Sequence, residues 1–138
     1  MMILGLSLIL SYSLAAQTGS IEVIVTSIDL DKGGEISAGI FEEVNFPEVG
    51  KQMVSIEKSV QATSMTFLFS NVPTGDYALA IFQDVNQDKD LETNFIGLPL
   101  EPIGFSNNVR IRFGPPSFDS AKVQVEPGQK TQLTVQLR

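Results

Sequence analysis

Alternation of apolar and polar side chains at every second residue is the feature that most narrows what this chain can become. It recurs in short runs from Ile21 onward, and such a run buries one face of a β-strand while wetting the other; a helix needs apolar residues three and four apart. Ile21, Val23 and Val25 make the first inward set, Ile36, Ala38 and Ile40 the second, and Val54, Ile56 and Val60 the third. Met65, Phe67 and Phe69 follow, then Tyr77, Leu79 and Ile81, then Val123 and Val125, and last Leu133, Val135 and Leu137. These seven runs predict an all-β chain: a two-sheet antiparallel β-sandwich of about seven strands, immunoglobulin-like or transthyretin-like. Asp31-Lys32-Gly33-Gly34 reads as a hairpin turn, and Val72-Pro73-Thr74-Gly75-Asp76 and Glu126-Pro127-Gly128-Gln129 as further reversals. Ile24 and Leu68 interrupt the polar faces, which predicts strands buried on both sides or covered by a loop. The chain shows no internal repeat and no linker, so residues 17–138 are expected to form one sandwich domain.

The first 16 residues read differently. They carry no charged side chain, and Ile3 to Leu10 is an apolar run followed by Ser11, Ser13, Ala15 and Ala16. A run of that length suits a signal peptide and falls short of the roughly 20 residues that span a bilayer. Residues 1–16 are therefore expected to be a leader cleaved after Ala15 or Ala16, which implies export to the periplasm or beyond. The chain has no cysteine for lipid attachment, so no membrane anchor is expected after cleavage.

Composition then removes whole classes of chemistry. Without histidine or cysteine there is no Ser-His-Asp triad, no thiol nucleophile, no Cys/His zinc site and no disulfide. Sixteen acidic residues against nine basic ones give a net charge of −7, which repels phosphate backbones and makes nucleic acid an unexpected partner.

Between Gln83 and Ser120 the alternation mostly stops, and a connection that long in a small domain is where function concentrates. It opens Asp84-Val85-Asn86-Gln87-Asp88-Lys89-Asp90-Leu91-Glu92, where four acids against one lysine leave a net charge of −3 over nine residues. Oxygen side chains at alternate places in a turn can close on a hard cation, which also relieves their mutual repulsion. Lys89 and Phe95 stand where an EF-hand needs glycine and a bidentate glutamate, so the loop is not one. The expectation is a rim loop that holds Ca2+ through Asp84, Asn86, Asp88 and Glu92, with the backbone carbonyl of Asp90 as a further ligand; a solvated acidic turn is the plainer alternative.

Three further segments carry a resemblance: Gly75-Asp76-Tyr77-Ala78 leading into Asp84-Val85-Asn86, Gly104-Phe105-Ser106-Asn107-Asn108, and Phe113-Gly114-Pro115-Pro116-Ser117-Phe118. With Val72 to Phe82 and Gly97 to Ile103 around them, they resemble the bacterial secreted-protein family of domain of unknown function 2141. Its members are similar to transthyretin-like or carboxypeptidase-regulatory-like sandwiches. The resemblance implies fold and location and carries no activity. That family usually has small residues where Gln87 and Lys89 stand, and Asp where Glu92 stands, departures that bear on the metal site and not on the fold.

Gly97 to Asn108 is rich in Pro, Gly and Asn, and Phe105, Phe113 and Phe118 follow or sit within it. The segment reads either as a contact surface, with phenylalanines stacking on a sugar or peptide, or as a plug folded over the sandwich with its asparagines capping turns; the composition favours the plug. Three functions remain open. The first is a non-catalytic exported module whose Ca2+-braced loop contacts another envelope protein or a glycan. The second is a carboxylate-based hydrolase using Asp84, Asp88 or Glu101. The third is a structural subunit of a surface assembly, lending Thr131–Leu137 as an edge strand.

Overall fold

The computed structural model describes residues 17–88 and 101–138. The expected leader, Asp90 and Glu92 lie outside the described residues. Eight strands follow one another: β1 (Thr18–Thr26), β2 (Glu35–Phe41), β3 (Val54–Ser59), β4 (Met65–Pro73), β5 (Gly75–Asp84), β6 (Ile103–Phe105), β7 (Val123–Val125) and β8 (Lys130–Gln136). A single helical turn, α1 (Phe118–Ala121), precedes β7. The smaller sheet runs β4-β1-β8 and the larger β3-β2-β5-β6, with β7 also paired to β5. The all-β, two-sheet sandwich is thus the observed fold. The described residues hold one strand more than the seven runs implied, because β6 is three residues long and too short to show a period. The β1–β8 pair is parallel while the other pairs are antiparallel; apolar alternation specifies which face is buried, and leaves strand direction open.

The core is what the alternation marked. Ile21, Val23 and Val25 of β1, Ile36, Ala38 and Ile40 of β2, Phe67 of β4, Leu79 and Ile81 of β5 and Val135 of β8 are completely buried in one cluster. In β4 the period slips once: Ser70 and Asn71 together oppose Ser20, Asn71 takes φ 54°, and the bulge returns Val72 to the core side.

The turn signals require a correction. Asp31–Gly34, Pro73–Gly75 and Glu126–Gln129 do not close hairpins; each is a corner at which the chain leaves one sheet for the other. Turn chemistry marks a reversal and says nothing about which strand becomes the neighbour. The first arch is held by Ile28, which is buried in the core and donates its backbone N–H to the Thr63 carbonyl. At the second corner Tyr77 reaches back and donates its hydroxyl to the Pro73 carbonyl at 2.7 Å.

Ile24 and Leu68 also fall out differently. Leu68 is 49% exposed and Ile24 half-buried, both on the outer face of the smaller sheet. The strands covered on both faces are β2 and β5, where Phe41 and Ala80 meet Phe105 beneath a second, smaller cluster. Phe46 is its hub, with edge-on ring contacts to Phe41, Phe105 and Phe118 at centroid distances of 5.7, 6.0 and 6.2 Å.

Burial, reinforced by the Glu42 carboxylate, raises the Tyr77 hydroxyl above its ordinary pKa of 10.0. The unfolded chain therefore ionises first, so the share of stability owed to Tyr77 is complete below pH 10 and is lost as pH climbs through the folded value. Denaturant midpoints taken from neutral pH to strongly alkaline solution should fall above pH 10. In Tyr77→Phe that decline should flatten, at the expense of about 1 kcal/mol at neutral pH for the lost hydrogen bond.

Candidate functional site

The strand β5 ends in two fully buried polar residues, Gln83 and Asp84, where the chain turns off the larger sheet. A buried amide must be satisfied, and Gln83 is: Oε1 accepts from the Asp29 N–H at 3.0 Å, while Nε2 donates to the carbonyls of Asp29 (2.7 Å) and Gly33 (2.8 Å). One side chain thereby fastens the β1–β2 arch to the base of the rim loop. Asp84 extends the loop from there. Its Oδ1 accepts from the Asp88 N–H at 3.2 Å, and Asn86 Oδ1 accepts from the same N–H at 3.3 Å. Asn86 Nδ2 donates to Asp88 Oδ2 at 3.1 Å, and Gln87 takes φ 58° to close the turn.

Three of the five expected ligands, Asp84, Asn86 and Asp88, are therefore gathered on one short turn. Asp90 and Glu92 lie outside the described residues. Among the described residues no group of three or more acidic side chains is close enough to hold a metal by itself. Glu101 belongs to this rim, a place the metal reading did not give it. Its side chain is almost completely buried and its Oε2 accepts from the Val85 N–H at 2.7 Å. The signal for it in the sequence was an acid set among the apolar residues Leu100, Pro102 and Ile103.

The segment from Gly104 to Asn108 is a clasp built from short polar side chains. Gly104 lets β6 lie against β8: a Cβ there would sit 2.6 Å from Val135 Cγ1 and 2.7 Å from the Gln136 carbonyl oxygen. Ser106 is fully buried; its Oγ accepts from the Leu79 N–H at 2.9 Å and donates to the Ala121 carbonyl. Asn107 Nδ2 donates to the carbonyls of Ser120 (3.1 Å) and Lys122 (3.0 Å). The Asn108 amide lies along the outer edge of β8, donating to the Thr134 carbonyl at 3.2 Å and accepting from the Gln136 N–H at 2.9 Å, as a neighbouring strand would. Ile103 and Arg138 continue that seam by exchanging both backbone bonds at 3.0 and 3.1 Å. Asn107 and Asn108 take φ 60° and 51°, a conformation asparagine tolerates well.

The plug reading accordingly describes Phe105, which is buried, and Phe118, which packs on Phe46. Both asparagine amides are spent on the protein's own backbone. β8 is an edge strand, as expected, with its outer edge closed at Thr134 and Gln136. Phe113 is the exception: its side chain is entirely exposed.

The family model described as "Uncharacterized protein conserved in bacteria (DUF2141)" matches residues 23–133. No curated protein and no solved structure matches the chain.

Replacing Ser106 by Ala removes one hydroxyl and leaves the Leu79 N–H and the Ala121 carbonyl buried without a partner. The expected loss is about 3 kcal/mol by chemical denaturation, well above the ~1 kcal/mol of an ordinary hydrogen bond, because two stranded groups remain.

Proposed function

The chain belongs to this bacterial family, and from that premise we propose that it is an exported, non-catalytic sandwich module whose rim loop takes Ca2+ and whose loop-covered side contacts another envelope protein or a glycan. The observation that carries the calcium reading is the convergence of Asp84 Oδ1 and Asn86 Oδ1 on a single N–H. A turn that brings two hard oxygens to one point, with Asp88 beside them, has begun the shell of six to eight oxygens that Ca2+ requires. Asp90 and Glu92 follow closely enough in sequence to extend it, and Gln83 and Glu101 hold the base of the loop through hydrogen bonds to the Asp29 and Gly33 carbonyls and the Val85 N–H. The apolar leader of residues 1–16 supports export.

The burial of Asp84 and Glu101 favours this reading over a carboxylate-based hydrolase. Acid and base catalysis needs carboxyls turned toward a substrate, and these two accept from backbone N–H groups of their own loop.

Calorimetric melting in EDTA and in Ca2+ tests the site. A site with a Kd of ~0.1 mM stabilises the chain by about 1.4 kcal/mol at ~1 mM Ca2+, enough to raise Tm by several degrees. Asp88→Asn should abolish that rise while melting like the parent in EDTA. A Tm that Ca2+ leaves unmoved at ~1 mM removes the metal from the proposal.

A further inference from the structure

This acidic chain has only three arginines, Arg110, Arg112 and Arg138, and all of them line two adjoining clefts beside the clasp. Arg110 and Arg112 are exposed and, among the described residues, neither has a hydrogen bond or an ion pair, although the chain carries 16 acids that could have supplied one. The loop that bears them is held at both ends. Asn108 bonds to β8 at its start, Ser117 caps α1 at its finish, and Asn107 ties the two together. In its middle Ile111 packs on the Phe41–Phe105 cluster. Phe113 stands wholly exposed before Gly114, whose φ of 150° suits glycine. Two free guanidiniums, an exposed ring and the Pro115–Pro116 pair thus border one cleft of about 690 Å3.

We propose that this cleft binds an acidic polysaccharide, with Arg110 and Arg112 taking sugar carboxylates and Phe113 stacking on a pyranose face. The proposal deepens the contact-module reading above and is independent of its calcium site. The guanidinium fork matches a carboxylate in two parallel hydrogen bonds, and a rigid aromatic ring covers the C–H face of a sugar with little entropy to lose. A linear peptide that binds by adding a strand finds no free edge here, since the edge bordering these clefts is filled by Asn108 and by the Ile103–Arg138 exchange, and poly-glutamate stands for an acidic peptide held by charge alone. The net charge of −7 opposes any polyanion at long range, so preference for a sugar chain that enters the cleft over an anionic bilayer rests on the local fit of the two guanidiniums and the ring.

The test is titration calorimetry of the full chain, in EDTA and low salt, with polygalacturonate oligomers, their methyl esters and poly-glutamate, and sedimentation with anionic phospholipid vesicles. Polygalacturonate should bind, and at least about tenfold more weakly as the methyl ester or to Arg110→Gln/Arg112→Gln, whose Tm in EDTA should equal the parent's. Phe113→Ala should weaken polygalacturonate and leave any poly-glutamate binding unchanged. The proposal is overturned if polygalacturonate gives no heat, if the double variant binds it as the parent does, if poly-glutamate binds more tightly, or if the vesicles carry the chain down instead. Loss of the calcium response with this pattern intact would fault only the metal site.

Discussion

A buried hydroxyl joins the parts of this sandwich that the strand pairing leaves separate. Ser106 Oγ accepts from the Leu79 N–H on the central strand β5 and donates to the Ala121 carbonyl on α1, far along the chain. With that position settled, its two neighbours reach their own targets: Asn107 the carbonyls that lead into β7, and Asn108 the edge of β8. A sheet edge left open invites another strand, and sandwiches usually protect it with charge, proline or a bulge. Here a side-chain amide imitates a strand residue, and the Ile103–Arg138 exchange extends the imitation until the two sheets are stitched together along one side.

Much of the core was legible in the sequence, for a simple reason. Ile21, Val23, Val25, Ile36, Ile40 and Phe67 each lie on a strand whose alternate residues face the core, so period two and burial coincide. Legibility failed where the opposite face is covered too. β2 and β5 are buried on both faces, and most of the residues on their outer sides, Ser37, Gly39, Ala78 and Ala80, are small enough to pass for polar-face filler, while Phe41 and Phe82 on the same sides are covered. Phe46, the hub of that cover, follows Glu42 and Glu43 in a stretch with no period at all. The corners failed for another reason: Pro and Gly report backbone conformation, and a sandwich uses the same conformations to turn within a sheet and to change sheets.

The rim was legible in proportion to how local it is. Asp84, Asn86 and Asp88 are close in sequence, and alternate oxygens in a tight turn converge whatever the surrounding fold does. Glu101 is brought there only because β6 pairs with β5, with Gln83 donating to the Pro102 carbonyl at 2.9 Å and Phe82 opposite Ile103. No spacing rule could foresee that pairing from three residues. The clasp asparagines carried a real signal that admitted two meanings, since an amide offers the same donors and acceptors to a ligand as to a neighbouring backbone.

The long connection after β5 is divided by β6 and the clasp. In sequence, residues 85–101 before them hold four acids and one lysine, and residues 109–117 after them hold two arginines and no acid. Unrestrained, charges of opposite sign on one flexible segment would pair with each other and neither would remain available. Holding Ile103–Phe105 in the sheet and Ser106–Asn108 against β5, α1 and β8 ties the start of the arginine-bearing segment to the sandwich itself. A three-residue strand with Phe105 buried beneath it, and the clasp that follows, thus fix where the arginine-bearing loop begins, whatever acidic sequence precedes them.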